Sequence, residues 1–105
     1  MKHRELTQLN EALRTRVIEL LTKAGRPIAQ TEESRLGRRF TTSGLECHIS
    51  VQSSHTVTVS QVTVYAGGNW TLSAPPASLR AVLETAGLKV EPRSQSWRVK
   101  ETQAS

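Results

Sequence analysis

Residues 45–64 alternate between apolar and polar, and the alternation changes phase part-way. Leu45, Cys47, Ile49 and Val51 stand at odd positions between Glu46, His48, Ser50 and Gln52. A period of two sends successive side chains to opposite faces of a strand. Val57 and Val59 keep the odd phase, but Val62 and Val64 fall on even positions. An extra residue near Ser60-Gln61, a β-bulge, would return all four valines to one face, and a tight turn at the same place is the alternative. The bulge is the expectation. Such a stretch commits the chain to an antiparallel sheet with one apolar face, and that face must be covered by other elements.

Two helical patterns supply the cover. Leu6, Leu9, Leu13, Val17, Leu20, Leu21 and Ala24 recur at three- and four-residue spacing, within an arc of about 120°. This predicts a helix over 4–24, ended by Gly25 and Pro27. Leu79, Val82, Leu83 and Ala86 form the apolar stripe of a second helix over 75–86. Ser73 is its expected N-cap, Pro75 and Pro76 fit its first turn, and Gly87 ends it.

Residues 25–37 read as a connector rich in Gly, Pro, Ser and charge, with room for one helical turn at Glu32–Leu36. Antiparallel strands occupy 38–73. They begin with Arg38–Thr42, turn at Ser43-Gly44 and at 52–54, and close a hairpin at Ala66–Asn69 that returns through Trp70 and Leu72. A terminal hairpin over 88–100 turns at Ser94-Gln95 and carries Val90, Trp97 and Val99, and 101–105 is a frayed tail. The fold class is therefore α+β, one domain of order α-β-β-β-β-α-β-β, with an antiparallel sheet packed against two helices. This order partly resembles the α-β-β-β-α order of double-stranded-RNA-binding domains. The second helix lacks the lysine-rich start of that family, so the resemblance is topological and implies no membership.

Charge bears on partners. Among 105 residues, 14 are Lys or Arg and 9 are acidic, every acid being Glu. The formal charge is +5 and the pI about 10.2, a balance that suits nucleic acid or an acidic protein surface. The absence of Asp lowers the expectation of Ca or Mg sites and of many carboxylate mechanisms. One cysteine excludes an internal disulfide, and no run approaches the ~20 apolar residues of a membrane span. A cytoplasmic protein without membrane contact is expected.

Cys47, His48 and His55 are the residues closest to a catalytic or metal motif. Neighbours in a strand diverge, and a thiol with two imidazoles falls short of a structural zinc set, so no catalytic residue, metal or cofactor is expected. Arg35, Arg38 and Arg39 cluster near the first strand, and Arg93, Arg98 and Lys100 lie on the terminal hairpin. Planar guanidinium forks bind phosphate with two hydrogen bonds, so these six are the candidate nucleic-acid contacts. Trp70 and Trp97 could stack on bases, with core packing the better expectation for at least one of them.

Residues 48–70 contain no Asp, Glu, Lys or Arg. If the valines face inward, Thr56, Thr58, Ser60, Thr63 and Tyr65 face outward, joined by His48, Ser50 and Gln52. An uncharged face is inexpensive to desolvate, as in interface cores. A strand without guarding charges also offers an edge for pairing with another chain, a second copy included. Two functional expectations follow. The leading one is a small non-enzymatic regulator that binds nucleic acid or a nucleoprotein complex through its arginines. The other is a protein-binding inhibitor or adaptor of phage or mobile-element type, such as an anti-defence or anti-CRISPR inhibitor, which docks through Thr56, Thr58, Ser60, Thr63 and Tyr65.

Overall fold

A computed structural model describes residues 3–49 and 56–101. Two helices and seven strands follow in the order α1 (His3–Lys23), β1 (Thr31–Ser34), β2 (Gly37–Phe40), β3 (Gly44–Ile49), β4 (Thr56–Val64), β5 (Trp70–Ser73), α2 (Ser78–Thr85), β6 (Leu88–Pro92) and β7 (Trp97–Glu101). This is the expected α+β order with one strand added. The expected turn at 52–54, His55, the outward Ser50 and Gln52 and residues 102–105 of the expected tail lie outside the described residues, whereas Glu101, expected to fray, belongs to β7 opposite Leu88.

α1 ends where the sequence places its stop. The Gly25 N–H donates to the Thr22 carbonyl at 3.0 Å and the Arg26 N–H to the Leu21 carbonyl at 3.1 Å. These are the two bonds of a Schellman cap, and they need the left-handed backbone that Gly25 adopts at φ 83°. The buried side of α1 centres on Leu13, Val17 and Leu21. Leu9 sits at the edge of the apolar arc and is exposed, while Asn10 is buried in its stead. Rolled this way, α1 also brings the Arg14 Nε within 2.8 Å of the Cys47 carbonyl, which satisfies an acceptor on the edge of β3.

The connector holds no helical turn. It holds β1, which pairs antiparallel with β2 in a separate two-stranded ribbon whose register opposes Glu32 to Arg39 and Glu33 to Arg38. Across the ribbon Glu32 and Glu33 thus face Arg39 and Arg38, opposite charges that favour the pairing. The second helix starts later than expected. Ser73 belongs to β5 and pairs with Gln61, and α2 begins at Ser78 with no side-chain cap on Ala77. The residue before a proline is pushed out of the helical region, so Pro75 stays outside the helix, and the first turn opens on Pro76, whose carbonyl accepts the Leu79 N–H at 3.0 Å.

The main sheet runs β3-β4-β7-β6, with β5 also paired to β4. There is no bulge at Ser60-Gln61. β3 pairs with β4 in unbroken register from Gly44↔Val62 to Ile49↔Val57. On its other edge β4 pairs first with β7, through Val59↔Trp97, and then with β5, from Gln61↔Ser73. The valines change phase because β4 serves two apolar clusters on opposite faces. Val57 and Val59 join Leu45, Cys47, Leu88, Val90, Trp97 and Val99 under Leu13, Val17 and Leu21 of α1 and Leu79 and Leu83 of α2. Full burial of each such aliphatic side chain contributes about 1.5–3 kcal/mol. Val62 is equally buried but lies outside that cluster. It faces the other way, as do its partner Leu72 and the Val64–Trp70 pair. There Trp70 meets the buried ring of Phe40 edge-on, with centroids 4.9 Å apart and planes at 74°.

Candidate functional site

Both helices pack against one face of the sheet, so among the described residues the other face is open except where Arg38 and Phe40 of β2 lie over it. β7 builds the centre of that open face. Trp97 and Val99 point into the core, and alternation turns Arg98 and Lys100 outward. Register then sets their neighbours. Thr58 opposes Arg98 and Thr56 opposes Lys100. On the far side of β7, Glu91 opposes Arg98 and Lys89 opposes Lys100. On β3, His48 opposes Thr58 and Glu46 opposes Ser60. Strands are about 4.8 Å apart, so one row reads His48, Thr58, Arg98, Glu91, and the next carries Thr56, Lys100 and Lys89.

The face has one acidic hub. Lys100 Nζ lies 2.7 Å from the Glu91 carboxylate, and Lys89 and Arg93 reach it at 3.7 Å each. The hydrogen bond from Lys100, reinforced by the positive charge of Lys100, Lys89 and Arg93, holds the Glu91 carboxyl below its ordinary pKa. Arg98 is exposed and makes no ion pair among the described residues. Removing the hub charge should release three cations towards a ligand. Glu91→Gln is expected to tighten nucleic-acid binding several-fold at constant ionic strength, because fewer cations are neutralised internally. Fluorescence anisotropy with a labelled oligonucleotide reads this, and unchanged or weaker binding would contradict it.

The ribbon of β1 and β2 forms an arm at the β3 side. Arg38 lies 3.5 Å from Glu46 and so joins the open face at the Ser60 row. Arg39 instead pairs with Glu32 at 3.2 Å, both side chains being more than half exposed. Arg35 stands exposed at the tip of the arm beside the fully exposed Leu36. Of the six cations singled out in the sequence, Arg38, Arg93, Arg98 and Lys100 therefore meet on one face, and Arg35 and Arg39 do not. Lys89 completes the set. Its signal in the sequence is its position, between the apolar Leu88 and Val90 in an alternating strand.

The five expected interface residues are divided in the same way. Thr56 and Thr58 lie half-buried on the open face, and Ser60 shares that face but is buried, with 5% of its surface exposed. Thr63 and Tyr65 point to the opposite face, where the Tyr65 hydroxyl lies 3.3 Å from the Thr71 hydroxyl. The missing bulge accounts for the split, because without an extra residue 63 and 65 keep the parity of 57 and 59.

Cys47 is buried in the main core, and burial pushes its thiol up to about 12, opposed by the nearby Arg14 charge and assisted by Glu46. A thiol held protonated is a poor nucleophile and a poor ligand. His48, its neighbour, emerges on the open face. Among the described residues no three His, Cys, Asp or Glu side chains gather as a metal site, and no helix is long and apolar enough to cross a membrane. The chain matches no protein-family model, no curated protein and no solved structure.

Proposed function

We propose that this chain is a small non-enzymatic regulator, cytoplasmic in setting, that binds nucleic acid or a nucleoprotein complex through the open face of its sheet. The observation that carries this reading is the juxtaposition of Arg98 and Lys100 with Thr58 and Thr56. Lys89, Arg93 and Arg38 flank them, and among the described residues Glu91 and Glu46 are the acids that oppose them. Arginine and lysine bind phosphate oxygens, threonine hydroxyls add neutral hydrogen bonds, and an antiparallel face is broad enough to follow a sugar–phosphate chain. Recognition of this kind, through backbone contacts, reads charge and shape rather than base sequence.

Anisotropy titrations of labelled single- and double-stranded DNA and RNA from about 50 to 200 mM salt test the proposal. With about four phosphate contacts, log K should fall against log salt with a slope of roughly −3 to −4. A flat salt dependence, or no binding at about 150 mM salt, would overturn it. One observation favours the second reading, a protein-docking inhibitor or adaptor. Leu36 at the tip of the arm is entirely exposed, as an apolar anchor for a pocket on a partner would be. Failure of the titrations would transfer weight to that reading.

A further inference from the structure

The chain has four aromatic residues, and Trp97 is the one built into the helix-covered core. Trp70 is placed differently. It pairs with Val64 in β5, faces the open side of the sheet and leaves 42% of its surface in solvent. β5 and β7 occupy the same edge of β4, end to end. Lys100, Arg98, Leu72 and Trp70 therefore fall on one column of the open face. Arg98 lies opposite Thr58 and Trp70 opposite Val64, six residues apart along β4, or about 20 Å at 3.3 Å per residue. Phe40 supports the indole edge-on. Phe40 and Val64 also line a cleft of about 350 Å³, together with Arg39, Thr41, Tyr65 and the turn at Gly67-Gly68, and Trp70 is not part of its wall. Its volume is at the lower end of the range for small-ligand sites, about 300–1,000 Å³.

We infer that Trp70 is a stacking platform for one unpaired nucleobase, so that the open face selects single-stranded over duplex nucleic acid. The inference rests on the proposed backbone-binding role of the face and adds the feature that distinguishes strand from duplex. A duplex keeps its bases stacked inward and can use only the cations. A single strand lying along the column brings its phosphates to Lys100 and Arg98 and can place a base on the indole, since every base has a π-face and stacking tolerates any sequence.

The experiment uses the full chain and an eight-nucleotide oligo(dT), followed by tryptophan emission and anisotropy, with a hairpin duplex as the comparison. Addition of oligo(dT) should quench the emission of the exposed indole, and Trp70→Phe should abolish that quenching, because Trp97 is buried. Trp70→Leu keeps apolar cover over Phe40 but removes the platform. It should weaken oligo(dT) binding about tenfold or more, leave the salt slope and duplex affinity unchanged, and be partly rescued by Trp70→Phe. Salt-dependent binding without quenching, or equal affinities of wild type and Trp70→Leu, would overturn the stacking inference alone. Absence of salt-dependent binding to any oligonucleotide would overturn both the inference and the reading beneath it.

Discussion

Neutralising two cations, in the double variant Arg98→Gln/Lys100→Gln, should weaken binding to nucleic acid by about a hundredfold or more, since each charge-assisted hydrogen bond contributes about 1.5–3 kcal/mol. The salt slope should become shallower by nearly two, at about 0.9 for each phosphate no longer neutralised. Glutamine keeps a polar, hydrogen-bonding side chain but is shorter than either cation, so the salt slope, and not affinity alone, reports the loss of charge. It also avoids placing a second carboxylate against Glu91, which faces Arg98 across the strands and bonds Lys100. Stability should hardly move. Arg98 is exposed, Lys100 is only partly buried, and Glu91 keeps Lys89 and Arg93. Surface changes of this kind usually stay within about 0.5 kcal/mol. An unfolding midpoint close to that of the wild type, with affinity and slope both reduced, would identify the open face as the contact surface. Unchanged affinity and slope would exclude it. Arg35→Ala is the internal control, because the arm tip lies away from the face and its loss should change binding far less.

That control exists because proximity in sequence misleads at one end of the chain and holds at the other. Arg35, Arg38 and Arg39 are near neighbours, yet a ribbon sends successive residues to opposite sides, and only Arg38 reaches the face, through Glu46. Arg98 and Lys100 are legible as a pair because Trp97 and Val99 fix the parity of β7. The same logic locates β3, where Leu45 and Cys47 turn inward, and the helix ends at Gly25 and Gly87. It fails at β4. An apolar residue at an unexpected parity reads as a bulge only on the assumption that the sheet has one apolar side. The open side carries a second, smaller cluster of Val62, Leu72, Trp70 and Phe40, and periodicity reports that a residue is buried without reporting which face buries it. Phe40 comes from the arm, whose second strand alone is legible in the sequence, as the strand expected over Arg38–Thr42. Strands of four residues such as β1, TEES, have no apolar alternation to read. What makes them a ribbon is cross-strand pairing of Glu32 and Glu33 with Arg39 and Arg38, a relation between segments that composition cannot display.

The arm depends on one close approach, and a single methyl group there should have the largest effect on stability among the changes considered. Residues 27–29 run alongside β3 before the arm begins. The Leu45 N–H donates to the Pro27 carbonyl at 2.9 Å, the Ala29 N–H donates to the Leu45 carbonyl at 2.8 Å, and Ile28 forms a parallel bridge with Leu45. This seam closes the exposed edge of β3 and fixes where the ribbon emerges. Gly44 makes it possible. A Cβ at that position would lie 2.7 Å from the Ala29 nitrogen, 2.8 Å from the Pro27 oxygen and 2.9 Å from the Ile28 carbonyl carbon. All three are backbone atoms, so no rotamer change relieves the clash, and the segment must move away. Gly44→Ala should therefore cost about 1–3 kcal/mol for overpacking, and about 0.5–1.5 kcal/mol for each of the two seam hydrogen bonds that the movement breaks. For a domain with total stability of about 5–15 kcal/mol that is a large fraction, measurable by urea denaturation as a lowered midpoint with little change in slope. Hydrogen exchange should show where the loss falls, with the Leu45 and Ala29 amides deprotected first. A midpoint equal to that of the wild type would mean that the seam does not hold the arm. A lowered midpoint accompanied by weaker nucleic-acid binding would mean that the arm, by placing Arg38 on Glu46 and Phe40 against Trp70, holds the open face in the form that binds.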